Sequence, residues 1–161
     1  RYHGSMDDHP ISLEERRSAL QAARVAVAGL RAQGKGHMLD HATKLPGSRL
    51  VAICDPDSAV LAARKADCEK VGVKPATYGD YRKLLESKEV DAVVIASPNH
   101  LHSLQTIWAL QAGKDVYVEK PLSHNVWEGR QAVDAECETT VGRSSVAERL
   151  QEEAEAAVGE N

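Results

Sequence analysis

The sequence predicts an α/β fold, a doubly wound and mainly parallel sheet of five to six strands with helices on both faces. Three observations carry that expectation. From Arg24 onward, short apolar runs alternate with stretches of helical periodicity, the order expected when each strand is followed by a crossover helix. The runs are Val-, Ile- and Ala-rich and nearly continuous, as strands covered on both faces require. The 161 residues are enough for one sizeable core without help from disulfides or metals.

Taken in order, a first helix is expected from Ser12 to about Ala22, because the Ser12 hydroxyl and Glu15 can cap each other's free amides. Strands are expected at 25–28, 50–54, 90–96 and 116–118, with a weaker one at 76–78. Helices fit 34–45, 57–71, 80–86 and 99–112, and a further one runs from 123 through 133. In the helix over 99–112, Leu101, Leu104, Trp108 and Leu110 recur at helical spacing and are expected to face the sheet. Residues 136–142 have poor strand character. The Ala- and Glu-rich tail over 144–158 carries Val146, Leu150, Ala154 and Ala157 on one stripe and predicts a terminal amphipathic helix. The expected organisation is an extension over 1–22, the α/β domain over 23–143 and the tail helix over 144–161.

Composition narrows the partners. Twenty Lys and Arg against 24 Asp and Glu, with no basic block, argue against nucleic acid and membrane surfaces. The longest apolar runs are strand-sized, far below the ~20 residues of a membrane span. Cys54, Cys68 and Cys137 form no C-x-x-C pair and are odd in number, which predicts free thiols in a reduced, cytoplasmic setting. Arg1 to Met6 lack the apolar core of a targeting signal and are set aside as a tag-like remnant.

The chemistry begins where the first strand runs into Gly29-Leu30-Arg31-Ala32-Gln33-Gly34-Lys35-Gly36. A Gly-rich turn opening a helix presents free amides and the positive end of the helix dipole to a phosphate. The dinucleotide pattern G-x-G-x-x-G is met at Gly29 and Gly34, with Arg31 in place of the middle glycine. The mononucleotide pattern G-x-x-x-x-G-K-[ST] is met by Gly29, Gly34 and Lys35 but ends at Gly36, which has no hydroxyl for Mg²⁺. The dinucleotide reading is therefore preferred over the mononucleotide one and over a bare structural turn. Asp55, 26 residues after Gly29 at the end of the second strand, is placed to accept hydrogen bonds from an adenosine ribose. A carboxylate there repels a 2′-phosphate and favours NAD over NADP, although Arg31 could attract one.

Two polar segments close the later strands: Ser97-Pro98-Asn99-His100-Leu101-His102 and Glu119-Lys120-Pro121. In an open α/β sheet the carboxyl ends of strands are where ligands bind. The second segment after Val116-Tyr117-Val118, with the first before it, resembles the paired signature of the Gfo/Idh/MocA oxidoreductases over about residues 24–133. The resemblance implies a Rossmann-type NAD(P) domain, followed in the family by a substrate domain, acting in hydride transfer on sugars and polyols. It implies that Gly29 and Gly34 shape the pyrophosphate turn and that Asp55 holds the ribose, with Arg31 counted among the cofactor-binding positions where the pattern has its middle glycine. It further implies that Pro98, Asn99 and His102 line the path to the nicotinamide, and that Glu119 and Lys120 close the site, with Lys120 as the catalytic residue; Ser97, which opens the first segment, is counted with the cofactor-binding positions.

His37 and His41, spaced i, i+4, lack the glutamate of a zinc-protease motif and are expected to be surface residues, so no metal is expected. Two functions follow. The first is the cofactor part of an NAD-dependent sugar or polyol oxidoreductase, incomplete as a catalyst by itself; the second is a non-catalytic NAD-binding or oligomerisation module, in which a homo-oligomer is possible.

Overall fold

The computed structural model describes residues 23–45 and 47–139. The expected helix from Ser12, the tail helix over 144–158 and the outer domain limits lie outside the described residues.

Five parallel strands form one sheet in the order β3-β2-β1-β4-β5, with β1 at Ala23–Ala28, β2 at Ser48–Cys54, β3 at Ala76–Tyr78, β4 at Ala92–Ile95 and β5 at Asp115–Val118. Each is within a few residues of its expected run. The helices are α1 (Ala32–Thr43), α2 (Ser58–Lys70), α3 (Tyr81–Leu85), α4 (His102–Gln111) and α5 (residues 126–139). A single 3-10 turn, Asn99–Leu101, leads into α4.

Period-two alternation along the strands divides the core between two faces. Val25, Val27, Leu50, Ile53 and Val94 pack with Met38 of α1 and Cys68 of α2. Ala26, Ala28, Ala52, Val93 and Ile95 pack with Tyr81, Leu84 and Leu85 of α3 and Ala109 of α4. The small side chains on the second face let α3 and α4 approach closely.

Two expectations need correction. Of the four apolar residues of the helix over 99–112, Leu104 and Trp108 are exposed. The face turned inward instead carries His102, Ser103, Gln105, Thr106, Ala109 and Leu110. Ser103 and Gln105 bond to neighbouring loops, Ser103 Oγ donating to the Leu122 carbonyl at 2.8 Å and Gln105 Oε1 accepting from Ser97 Oγ, while Thr106 Oγ1 is buried with no hydrogen-bond partner among the described residues. The last helix also extends to residue 139 instead of ending at 133. Ala132 and Ala135 bury its inner side, and Thr139 Oγ1 bonds back to the Ala135 carbonyl.

At the amino end of the sheet, Arg24 clamps Asp91. Its Nη2 and Nε donate to the two carboxylate oxygens at 2.7 and 3.0 Å, and its main-chain amide donates to the same group at 2.9 Å. This fastens the start of β1 to the segment entering β4 and leaves the carboxyl edge for function.

Candidate functional site

The sheet reverses its winding between β1 and β4, since chain order runs outward from β1 to β3 on one side and from β4 to β5 on the other. A crevice at the carboxyl ends of such a pair is where open α/β sheets take ligands.

Gly29 closes β1 with φ +83°, and its amide donates to the Cys54 carbonyl at 2.9 Å. A Cβ at Gly29 would lie 2.5 Å from the Ser97 amide nitrogen and 2.6 Å from the Ala96 carbonyl oxygen, and one at Gly34 would lie 1.6 Å from the Gly29 carbonyl oxygen. Both glycines are therefore required by the packing of α1 onto the end of β1 and β4. Gly36 meets nothing within 4 Å.

The start of α1 is the chemically open end. Arg31 occupies the N-cap position without a side-chain cap, and the first turn holds no acidic residue. By contrast, the Asp57 side chain caps α2 and the Asp80 side chain caps α3. No protein acceptor is recorded for the amides of Arg31, Ala32 and Gln33 among the described residues, which leaves them directed at whatever lies before the helix. Arg31 has an extended backbone (φ −92°, ψ 166°), so its position does not need the conformational freedom of glycine. Its side chain swings aside to an ion pair with Asp57. Ala32 stands at φ +36°, an uncommon conformation for a residue with a Cβ.

Asp55 is 5 % exposed, and its two oxygens accept from the Leu30 and Asp57 amides, both at 2.9 Å. The carboxylate thus braces the Gly-rich turn against the end of β2, a task the sequence pattern did not disclose. Asp57 is held below the usual carboxylate range by the Val60 and Ala59 amides and then by Arg31.

The two polar segments meet at the same edge. Ser97 Oγ donates to Gln105 Oε1, while Pro98 and Asn99 are exposed. His102 is buried, with Nε2 2.8 Å from the Ser97 carbonyl oxygen and Nδ1 2.8 Å from the Pro121 carbonyl oxygen. It therefore joins the two segments from inside and does not present a polar atom to the crevice. Lys120 is exposed, and the peptide bond between it and Pro121 is cis.

Contrary to expectation, His37 and His41 are half-buried rather than free on the surface. His37 Nε2 bonds to Glu119 Oε1, and its ring meets Tyr117 edge-on at 5.5 Å. The His37 hydrogen bond holds the Glu119 carboxyl below its ordinary range. His41 bonds to Ser48 Oγ at 2.9 Å, and burial lowers its basicity. The overlooked signal at His37 was its place three residues beyond Gly34, one turn into α1 on the side of the turn. No group of three His, Cys, Asp or Glu suited to a metal occurs among the described residues. Burial pushes the Cys54 thiol up to about 12, which removes it as a nucleophile at neutral pH.

The sequence profile of the Gfo/Idh/MocA oxidoreductases, described as an oxidoreductase family with an NAD-binding Rossmann fold, matches residues 23–146. The chain belongs to this family. A family 109 glycosyl hydrolase of Shewanella sp. (strain ANA-3) is 39 % identical over 120 residues, 71 % of this chain and 26 % of the relative. The scyllo-inositol 2-dehydrogenase (NAD(+)) of Bacillus subtilis is 35 % identical over 120 residues, 73 % of this chain and 33 % of the relative. Among solved structures, scyllo-inositol dehydrogenase from Lactobacillus casei, with bound NAD(H) and scyllo-inositol, superposes with a TM-score of 0.67 at 28 % identity. The match covers 74 % of this chain and 34 % of that one. The chain therefore spans about a quarter to a third of the length of these relatives. No described helix is long and apolar enough to cross a membrane.

Proposed function

We propose that this chain is the cofactor-binding unit of an NAD-dependent oxidoreductase acting on sugars or polyols. The observation that carries the reading is the uncapped start of α1 behind a turn closed by Gly29 and Gly34, at the reversal point of the sheet. Free amides and the helix dipole favour the pyrophosphate there, and the extended Arg31 leaves the approach open.

Asp55 keeps a second acceptor site on each oxygen beyond the amide it already binds, and these sites suit ribose hydroxyls. The Arg31 charge is already matched by Asp57, so a 2′-phosphate would meet the Asp55 carboxylate without a free cation beside it. This supports NAD over NADP. Ser97, Pro98, Asn99 and His102 build the wall toward the nicotinamide, His102 from behind. Glu119 and Lys120 stand at its far side. When bound, the nicotinamide accepts or returns the hydride. An exposed ammonium at Lys120 can approach the reacting hydroxyl and stabilise the negative charge that develops on its oxygen. The substrate class follows the inositol dehydrogenases among the relatives.

Fluorescence titration with NADH and NADPH tests the proposal. NADH is expected to bind more tightly. Equal or tighter NADPH binding overturns the role of Asp55, and no binding of either overturns the cofactor reading.

A further inference from the structure

His102 opens α4 at 1 % exposure, and both its ring nitrogens face main-chain carbonyl oxygens at 2.8 Å. A carbonyl oxygen only accepts, so each nitrogen at that distance must carry a proton. Neutral imidazole has one N–H, and two are present only in the imidazolium. A neutral ring would turn a lone pair onto a carbonyl oxygen inside the protein, where an unmet polar group is costly.

The two carbonyls belong to the segments that matter. Ser97 lies two residues past the end of β4, and Pro121 follows Lys120 directly. Ser103 adds a second grip beside it on the Leu122 carbonyl, and the Glu119 amide donates to the Ile95 carbonyl at 2.9 Å. We propose that His102 is a doubly protonated positioning residue that pins the Lys120 segment to the end of β4. The functional half of this proposal rests on the cofactor reading above.

The titratable groups on the surrounding elements are His100 on the preceding turn, Glu119 and Lys120 after β5, Glu128 of α5 and, behind Glu119, His37 of α1. Among the described residues none of them bonds to the His102 ring; Glu119 is engaged by His37, and Glu128 accepts from the His124 amide and Asn125 Nδ2. The ring's charge is therefore balanced by main-chain dipoles. A ring lacking either proton would turn a lone pair onto a carbonyl oxygen and loosen its hold on the Lys120 segment.

The test begins with long-range proton–nitrogen spectra of the ¹⁵N-histidine-labelled chain at about pH 7, where an unperturbed ring is largely neutral. The His102 ring is expected with both nitrogens protonated, its signals being identified by their loss in His102→Gln. A neutral tautomer at His102 overturns the proposal. NADH titration is the second arm: His102→Gln leaves one carbonyl without its donor, and losing one hydrogen bond to a charged group predicts about tenfold weaker binding. Wild-type affinity is expected to fall over the pH range in which the spectra show the ring losing a proton, a decision that does not require the variant to fold. An affinity that ignores that transition overturns the positioning role. A wild-type chain that binds no NADH overturns the cofactor reading instead, while the spectra still decide the state of the ring.

Discussion

A methyl group at Gly34 would fall 1.6 Å from the Gly29 carbonyl oxygen, and one at Gly29 would press on the Ser97 amide and the Ala96 carbonyl. None of these neighbours is a flexible side-chain end, so relief requires moving backbone. Gly29→Ala also forces a Cβ into φ +83°. Overpacking costs about 1–3 kcal/mol and the left-handed conformation roughly 1–2 kcal/mol more. Urea denaturation should therefore place Gly29→Ala about 2–5 kcal/mol below wild type, whereas Gly36→Ala, with open space around it, should equal or exceed wild type. Asp55 illustrates how one residue can serve two purposes. Asp55→Ala strips the acceptor from the buried Leu30 amide, a loss of about 1–3 kcal/mol, and so loosens the turn as well as removing the proposed ribose contact. The expected result is weaker binding of both NADH and NADPH with a narrowed preference, measured by paired titrations. A change confined to the NADH-to-NADPH ratio, at unchanged stability, would remove the bracing role.

At the scale of elements, the strands were legible because burial on both faces leaves an unmistakable run of Val, Ile and Ala, and the turn after β1 because only glycine fits there. Which way α4 faces was not legible. Periodicity marks a helix, but hydrophobicity alone assigned Leu104 and Trp108 inward, when the inner positions go to polar side chains that bind the Pro121 and Leu122 carbonyls. His37 was missed for a similar reason: its place one turn beyond Gly34 marks it locally, but its partner, Glu119, is 82 residues away in sequence and no local pattern names it. The same limit applied to the Arg24–Asp91 clamp between strand starts, which has its own test. The Arg24 hydrogen bond holds the Asp91 carboxyl down at about 2, below the ~3.9 of an unfolded chain. A depressed carboxyl stabilises the fold above its unfolded value and loses that contribution as pH falls through its folded one. The stability difference between wild type and Asp91→Asn should accordingly be present at neutral pH, shrink below about pH 4 and vanish near pH 2. Because the pair is partly exposed, the difference should also shrink in high salt. Acid and urea titrations of both proteins check this, and a constant difference down to pH 2 would contradict the clamp.

For the whole molecule, the described part supplies one wall of a site and leaves the other open. Lys120, Pro98 and Asn99 are exposed at the carboxyl edge. Two cavities of about 290 and 240 Å³ adjoin α5, the larger lined by residues such as Thr106, Val116 and Ala132, and the smaller by His100, Leu104, Ile107 and Trp127. In the proposed reading, cofactor binding needs mainly the turn, the α1 amides and Asp55, which the described region holds together. Hydride transfer needs in addition a substrate carbon held about 3–3.5 Å from the nicotinamide in a fixed orientation, and positioning of that kind accounts for about 7–11 kcal/mol of barrier. An ammonium in contact with bulk water also stabilises developing charge far less than one in a site closed to solvent. The chain alone is therefore expected to bind NADH while forming no measurable NADH from NAD with inositols or common hexoses. Cofactor fluorescence and absorbance on the same sample measure the two properties side by side. Sustained turnover that disappears in Lys120→Ala would overturn the expectation, and would mean that residues outside the described region, or a second copy of the chain, complete the pocket around Lys120.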